Sequence, residues 1–461
     1  MSPLYTPDEQ TIVAQSTAQG SGALAIIRAC GLDVFTIADK ICRADNKKPL
    51  SEQATHTIAH GIVCDTSGTM LDDVLFYIMR GPRTFTGQDT LEISCHNNQF
   101  IVNNIIASWV NAGARLASPG EFTRRSVLAG KIDLVQAEAI AELISAQSQQ
   151  AIDKSLAQLK GSLSCELEAI ATELVRAIAL CEASFEFLDE ELEFGTQIKT
   201  IMSNVIHNVD RLRATYSSAQ HIRTGVRIAL IGSVNAGKSS LFNSLIGSNR
   251  AIVTDIEGTT RDVVEAGLYV SGMYWTLVDT AGLRHTSDII EQEGIRRSYE
   301  QAHMADIVLL VHDAHRQYTV AEQQIYDHLS ETYRSKIIMV RNKIDLLDYS
   351  VSSVPSDHVW AHVSSTTDTG IQDLKDAIEQ KIQRLFTAHS SPFLLNARHM
   401  HVLTALHTML HDVYTRMEPI VHYELVSYHL NDALVQVCEL TGKSISEQAL
   451  DAVFREFCVG K

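Results

Sequence analysis

Between Gly232 and Ser239 the chain reads Gly-Ser-Val-Asn-Ala-Gly-Lys-Ser, and this octet restricts the available folds more than any other stretch. It satisfies G-x-x-x-x-G-K-[ST], follows the apolar run Val226 to Ile231, and leads into Ser240-Leu241-Phe242-Asn243-Ser244-Leu245. A strand that enters a tight glycine turn and leaves as a helix is the context in which the pattern acts as a phosphate loop. Backbone N–H groups from Asn235, Ala236 and Gly237 through Ser240 then face polyphosphate at a helix N-terminus. Lys238 reaches the outer phosphates and Ser239 ligates Mg²⁺. An ordinary strand–helix turn is the competing reading, and the downstream motifs decide against it.

Asp279-Thr280-Ala281-Gly282 closes a second apolar run, Trp275 to Val278. A carboxylate there holds Mg²⁺ through water, and the Gly282 N–H senses the γ-phosphate. Asn342-Lys343-Ile344-Asp345 follows a third run, Ile337 to Val340. The Asp345 carboxylate accepts hydrogen bonds from the N1–H and 2-amino group of guanine. Adenine offers no such pair, so a buried Asp345 would be left unpaired against ATP. Ser364-Ser365, after the strand-like His358 to Val363, fits the last base-contacting loop. In this order and spacing the motifs specify GTP.

Two departures from the Ras pattern narrow the type. Leu283 stands where Ras-like enzymes carry the glutamine that orients the attacking water, and leucine cannot do so. Asn235 lies inside the phosphate loop, and Thr254-Asp255-Ile256-Glu257-Gly258-Thr259-Thr260-Arg261-Asp262 forms a switch-like loop. Their hydroxyl, amide and carbonyl oxygens suit a hard monovalent cation beside the phosphates, a charge able to replace an arginine finger.

Residues 226–291 closely resemble the MnmE (TrmE) family of tRNA-modification GTPases, which act on the wobble uridine. The resemblance extends to Thr11-Ile12-Val13-Ala14-Gln15, Phe85-Thr86-Gly87-Gln88-Asp89 and Pro119-Gly120-Glu121-Phe122-Thr123. It continues through Lys131-Ile132-Asp133-Leu134-Val135-Gln136-Ala137-Glu138-Ala139 to the terminal Cys458-Val459-Gly460-Lys461. By position, it implies K⁺ ligation by Asn235, Thr254, Ile256 and Thr259, and Mg²⁺ ligation by Ser239 and Thr260. It also implies that Glu291 orients the attacking water through a bridging water. Read alone, Glu291 equally suits a solvated residue opening the helix from Gln292 to His303.

The resemblance further implies a constitutive homodimer, a separate FAD-containing partner and a tetrahydrofolate one-carbon donor in the 5-formyl or 5,10-methylene form. The folate contacts fall on Arg28, Glu92 and Lys131, with Lys461 arriving from the tail. Read alone, Arg28 also suits strand-end solvation, Glu92 a cross-strand ion pair, and Lys131 an exposed position. The family's G-x-G-G appears here as Gly20-Ser21-Gly22-Ala23, and its His-Gly-Gly as His96-Asn97-Asn98. The added side chains could crowd a close backbone approach. Cys458 reads either as a reactive thiol beside Lys461 or as a small tail residue. The chain has no G-x-G-x-x-G flavin fingerprint, consistent with FAD on a partner.

At 461 residues the chain should hold about two or three domains. Residues 1–129 mix short strand-like runs with a helix-like stretch, Phe100 to Val110, an α+β pattern matching the folate-binding-like N-terminal domain. Residues 130–222 and 386–461 carry helical periodicity and read as the two parts of an all-α helical bundle domain. Leu156, Leu159, Leu163, Leu167, Ile170, Leu174 and Ile178 form one long amphipathic stripe. The Ras-like α/β P-loop GTPase domain, 223–385, is inserted between those parts. A module tethered at both ends can transmit nucleotide-driven movement.

Net charge is −17, from 38 basic and 55 acidic residues. That excludes indiscriminate polyanion binding and predicts a localised basic patch for tRNA. The eight cysteines contain no C-x-x-C pair, which suits a reducing cytosol. No apolar run approaches the roughly twenty residues of a membrane span, and the N-terminus lacks a signal-peptide pattern, so a cytoplasmic protein is expected. The run Glu186 to Glu193 reads as a solvated acidic surface. The histidines 399, 401, 407 and 411 lack the carboxylates of a metal site. The rival class is a ribosome-assembly GTPase switch, which shares Asn235-type loops. That type usually adds a G-x-x-G RNA-binding module or a second phosphate loop, and this sequence has neither.

Overall fold

A computed structural model of the chain describes residues 10–186, 194–216, 222, 225–247, 264–271, 273–279, 290–347, 360–386, 391–417, 421–455 and 457–460. It divides into two compact units, one of Met1–Ala141, Gln158–Val209 and His401–Lys461, the other of Glu142–Ala157 and Asp210–Met400.

The first unit opens with β1 (Ile12–Gln15), β2 (Leu24–Cys30), α1 (Val34–Ile41), β3 (Cys42–Ala44), β4 (Thr57–Cys64), β5 (Met70–Met79), β6 (Thr90–His96), α2 (Gln99–Ala112) and β7 (Arg115–Leu116). The strands form a seven-stranded sheet of order β3-β4-β5-β6-β2-β1-β7. β1 pairs with β7 in parallel, and the other pairings are antiparallel. Alternate residues of β2, β5 and β6 (Ile27, Phe76, Ile78, Leu91, Ile93) pack with Phe35, Ile41, Val102, Ile105 and Trp109 of α1 and α2. The period of two therefore turns Arg28 and Glu92 to the opposite face.

Helices follow: α3 (Glu121–Leu128), α4 (Leu134–Ser145), α5 (Gln149–Leu159), α6 (Ser162–Glu186) and α7 (Phe194–Ala214). The single leucine stripe expected from the sequence is broken in the structure. Gly161 adopts φ +96° between α5 and α6, a left-handed turn that a helix cannot absorb. Leu163, Leu167, Ile170 and Leu174 are buried on α6, whereas Leu156 on α5 is exposed.

The second unit is built around β8 (Val226–Gly232), α8 (Lys238–Gly247), β9 (Val264–Val270), β10 (Met273–Asp279), α9 (Ile290–Met304), β11 (Ile307–Asp313), α10 (Val320–Thr332), β12 (Ile337–Asn342), β13 (Trp360–His362) and α11 (Ile371–Phe386). Its sheet runs β13-β12-β11-β8-β10-β9, with only the β9–β10 pairing antiparallel. Both faces are covered. Leu230, Leu309 and Val340 pack toward Leu241, Leu245 and Leu374. Ile231, Leu310 and Met339 pack toward Ala302, Tyr326 and Leu329. Burial on both faces explains why these strands read as nearly continuous apolar runs, with Arg227 of β8 an exception, paired with Glu265. The chain ends with α12 (Ala397–Arg416), α13 (Tyr423–Thr441) and α14 (Glu447–Phe454). In the first unit, α13 packs along α6 through Val426, Leu430, Ala433 and Val437.

Candidate functional site

The parallel strands β8, β11 and β12 end at one edge, and the loops leaving β8 and β12 carry the phosphate-loop and N-K-x-D residues. In the phosphate loop, Asn235 takes φ +64° and Gly237 φ +86°. Asparagine tolerates the left-handed region, whereas position 237 also needs glycine for space: a Cβ there would stand 2.3 Å from Asn342 Nδ2. Lys238 opens α8 and is buried, its Nζ donating to the carbonyls of Gly232 and Ser233, each at 2.7 Å. Burial pulls its ammonium below the usual lysine range, against the pull of Asp279. Asp279 is buried at the end of β10. Asn235, Ser239 and Ser240 are exposed at the loop surface.

Asn342 ties the loops together. Its Nδ2 donates to the carbonyls of Ala236 (3.0 Å) and Gly237 (3.4 Å), and its Oδ1 accepts from Ser365 Oγ (2.8 Å) and N (3.2 Å). Ser365 returns its carbonyl to Ser244 Oγ on α8 at 2.9 Å. Phosphate loop, N-K-x-D segment and final loop are therefore one hydrogen-bonded assembly, with Asn342 1% exposed at its centre. Beside it, Ser240, Asn243, Ser244, Gly247, Ser365 and Asp368 line an open cleft of about 490 Å³. The donor set fits a magnesium–nucleotide: an exposed Ser239 hydroxyl, a lysine held by the loop's own carbonyls, and a buried acid at the next strand end.

Asp345 differs from expectation. It is exposed rather than buried, with its Oδ1 accepting from Ser364 Oγ at 2.6 Å. Discrimination against adenine by an unpaired carboxylate therefore operates only once a base covers it. Lys343, at φ +65°, places its Nζ 2.6 Å from Asp313 Oδ2. Burial raises the Asp313 pKa, but the Lys343 hydrogen bond and the His315 N–H outweigh it and hold the carboxyl below the usual range. Asp313 was not identified from the sequence. The available signal was an acid closing the apolar run at 307–312, and the strand register sets it opposite Asn342.

Glu291 falls in the first turn of α9, which begins at Ile290, so it lies within the helix rather than before it. Thr254, Asp255, Ile256, Glu257, Gly258, Thr259, Thr260, Thr280, Ala281, Gly282, Leu283 and Lys461 lie outside the described residues, as does most of the acidic run after Glu186.

In the first unit, Arg28 and Glu92 face each other in register across β2 and β6, with Nε to Oε1 at 2.7 Å. The Arg28 guanidinium also lies 5.5 Å from the Phe122 ring centroid and donates to the Gly460 carbonyl at 3.3 Å. Ser16 Oγ donates to the same carbonyl at 3.1 Å, and the Gly120 N–H to that of Cys458 at 3.3 Å. The C-terminal tail is thus docked beside β2 and the end of β1, with Cys458 exposed. Lys131 Nζ donates to the Pro82 carbonyl at 2.6 Å, and its stem approaches Gly87. Asn97 does not simply crowd the glycine-poor loop. Its backbone N–H donates to Ala23 O (3.1 Å) and its Nδ2 to Gly20 O (2.9 Å), stapling the loop to the turn after β6. Asn98 caps α2 by accepting from the Phe100 N–H. His399 is buried, exchanging hydrogen bonds with Asn396, and no group of three or more His, Cys, Asp or Glu side chains placed to hold a metal occurs among the described residues.

Known proteins match this chain along nearly its whole length. The family described as the N-terminus of the GTP-binding protein TrmE matches residues 11–131, and the MnmE helical-domain family matches residues 134–458. A tRNA modification GTPase MnmE of Parabacteroides distasonis is 34% identical over 461 residues, covering 98% of this chain and 100% of the relative. That of Protochlamydia amoebophila is 36% identical over 460 residues, covering 99% and 98%. The G domain of the T. maritima FeoB iron transporter aligns with 34% of this chain and 99% of its own at 28% identity, with a TM-score of 0.26. With end-to-end likeness to such relatives and both segment families matched in order, the chain belongs to the MnmE family of tRNA modification GTPases.

Proposed function

We propose that this chain is a potassium-activated GTPase whose hydrolysis cycle drives addition of an aminomethyl or carboxymethylaminomethyl group to C5 of the tRNA wobble uridine. The observation that carries the reading is the full-length likeness to tRNA modification GTPases. The Asn342-centred assembly supports its GTPase half. In this reading Lys238, oriented by the Gly232 and Ser233 carbonyls, turns its remaining N–H to the β- and γ-phosphate oxygens. The Ser239 and Thr260 hydroxyls hold Mg²⁺, and Asn235 with Thr254, Ile256 and Thr259 holds K⁺. When bound, these ions neutralise charge that develops on the phosphates. Glu291 orients the attacking water, the task for which Leu283 is unsuited.

The one-carbon unit comes from a tetrahydrofolate in the 5-formyl or 5,10-methylene form, bound by Arg28, Glu92, Lys131 and Lys461. Convergence of Arg28, Glu92 and the docked tail supports this part. An FAD-containing partner supplies redox chemistry, and the chain works as a homodimer on tRNA, with Cys458 near the folate. A cytoplasmic setting accords with eight free cysteines. No helix among the described residues is long and apolar enough to cross a membrane.

Reconstitution tests the proposal: the chain, its flavoprotein partner, undermodified tRNA and a tetrahydrofolate are incubated with GTP in K⁺ or Na⁺ buffer. Modified uridine formed only with hydrolysable GTP, and faster in K⁺, is expected. Product formed equally with a non-hydrolysable analogue would contradict coupling, and equal rates in the two buffers would remove the potassium role.

A further inference from the structure

The phosphate loop is held from below as well as from the Asn342 side. Tyr326, on α10, is 5% exposed. Its hydroxyl accepts from the Ser233 N–H at 2.7 Å and donates to the Val311 carbonyl at 2.8 Å. Ser233 is the second residue of the loop; the carbonyl of the same Gly232–Ser233 peptide group accepts from Lys238 Nζ at 2.7 Å, as does the next carbonyl, that of Ser233. One phenol therefore connects the end of β11 to the peptide group that in turn holds the phosphate-binding lysine.

Two further features make this brace specific. A Cβ at Gly232 would stand 2.4 Å from the Val311 carbonyl and 3.2 Å from the Tyr326 hydroxyl, so the first glycine of the octet permits the approach. The Tyr326 ring is fixed against His312 (4.4 Å between centroids) and Tyr318 (4.9 Å), with Trp360 5.0 Å beyond His312. His312 is itself buried, and burial pushes its pKa down to about 3, so the cluster carries no charge near neutral pH. The hydroxyl has no rotational freedom to lose when nucleotide arrives, because both its partners are backbone groups of the strand ends.

We infer that Tyr326 is a positioning residue for the nucleotide phosphates: its hydroxyl fixes the Ser233 peptide, and through it Lys238, in the geometry that receives them. The inference rests on the GTP-binding reading of the loop. It is distinct from base recognition, because the Tyr326 hydroxyl bonds the Ser233 N–H and the Val311 carbonyl, not the N-K-x-D segment or Ser364-Ser365. Loss of the hydroxyl therefore weakens ligands in proportion to their phosphates and leaves the nucleoside contacts alone.

The test compares wild type, Tyr326→Phe and His312→Phe in the full-length chain. Each is titrated with a fluorescent GDP analogue and competed with GTP, GDP and guanosine, alongside thermal unfolding. Tyr326→Phe is expected to lower affinity for GTP and GDP about fivefold or more with guanosine unchanged. His312→Phe, which alters packing but leaves the hydroxyl, is expected to shift only the unfolding temperature. Unchanged GTP affinity in Tyr326→Phe would overturn the inference, as would equal losses for GTP and guanosine, or the same phosphate-dependent loss in His312→Phe. A wild-type chain that bound no GTP would instead overturn the underlying nucleotide reading. Should Tyr326→Phe fold poorly, Tyr326→His keeps a ring with hydrogen-bonding atoms, and recovery of the GTP-to-guanosine ratio relative to Tyr326→Leu decides the same question.

Discussion

Replacing Asn342 with alanine removes the side chain that joins the three nucleotide loops. Asn342 makes short hydrogen bonds to Ala236 O and Ser365 Oγ, at 3.0 and 2.8 Å, and longer ones to Gly237 O and Ser365 N, at 3.4 and 3.2 Å. Truncation deprives the Ala236 carbonyl and the Ser365 N–H of this partner at a site where Asn342 is 1% exposed. A buried polar group losing its partner costs about 1–3 kcal/mol, so two such groups put the minimum near 2 kcal/mol. Falling wholly on the nucleotide-bound state, that is about 30-fold in affinity; shared equally with the free domain, about fivefold. Titration with a fluorescent GDP analogue, beside thermal unfolding, separates the shares. Ser365→Ala in both backgrounds closes a double-mutant cycle. The Ser365→Ala penalty should nearly vanish once Asn342 is gone. An Asn342→Ala chain binding GDP within about twofold of wild type, or additive penalties, would refute the reasoning.

Glu291→Ala should leave GTP affinity nearly intact and cut turnover about a hundredfold or more, since only the attacking water is affected; equal turnover in steady-state assays assigns the water to another residue. Asp313→Asn frees Lys343 and should weaken GTP and GDP about threefold, a deficit that shrinks as choline chloride is raised; a salt-independent deficit contradicts a charge-based role. Glu121 is 6% exposed, and although burial raises its pKa, Arg115, the Ser118 N–H and Arg125 together hold it below the usual value of 4.5. A depressed carboxyl stabilises the fold above that value and loses the contribution as pH falls through the lowered one. Urea unfolding should therefore show Glu121→Gln less stable by about 2–4 kcal/mol at neutral pH, the gap closing in steps below pH 4.5; a pH-independent gap contradicts the linkage. Arg28→Ala should abolish measurable tetrahydrofolate binding in calorimetry while GTP turnover stays at the wild-type level, and retained folate affinity removes Arg28 from that site.

The nucleotide-binding unit was legible because its strands are covered on both faces. Val226 to Ile231, Trp275 to Val278 and Ile337 to Val340 appear as mainly apolar runs, broken by Arg227 and Thr276, each leading into a motif. The break between α5 and α6 was not legible, because Leu156, Leu159 and Leu163 keep the same helical phase across Gly161. Periodicity reports which face is apolar and is blind to a turn that preserves the phase. Asp313 and Tyr326 escaped for a different reason. Neither belongs to a local motif: strand register sets Asp313 opposite Asn342 and beside Lys343, and packing of α10 on the sheet brings the Tyr326 hydroxyl to the Ser233 N–H. Beside the folate contacts that the resemblance implies, the sequence offered strand-end solvation for Arg28 and a cross-strand ion pair for Glu92. The register pairs them, and the docked tail brings the Gly460 carbonyl to the same guanidinium.

The most direct measurement of the central claim is mass spectrometry of wobble nucleosides in tRNA from cells lacking this protein. The cells are complemented with wild type, Glu291→Ala, or a chain truncated before Cys458. Loss of C5-aminomethyl-type uridines, restored by wild type and by neither variant, is the predicted result. It would tie GTP turnover and the docked tail to one modification. Unchanged wobble uridines in the deletion strain would contradict the account.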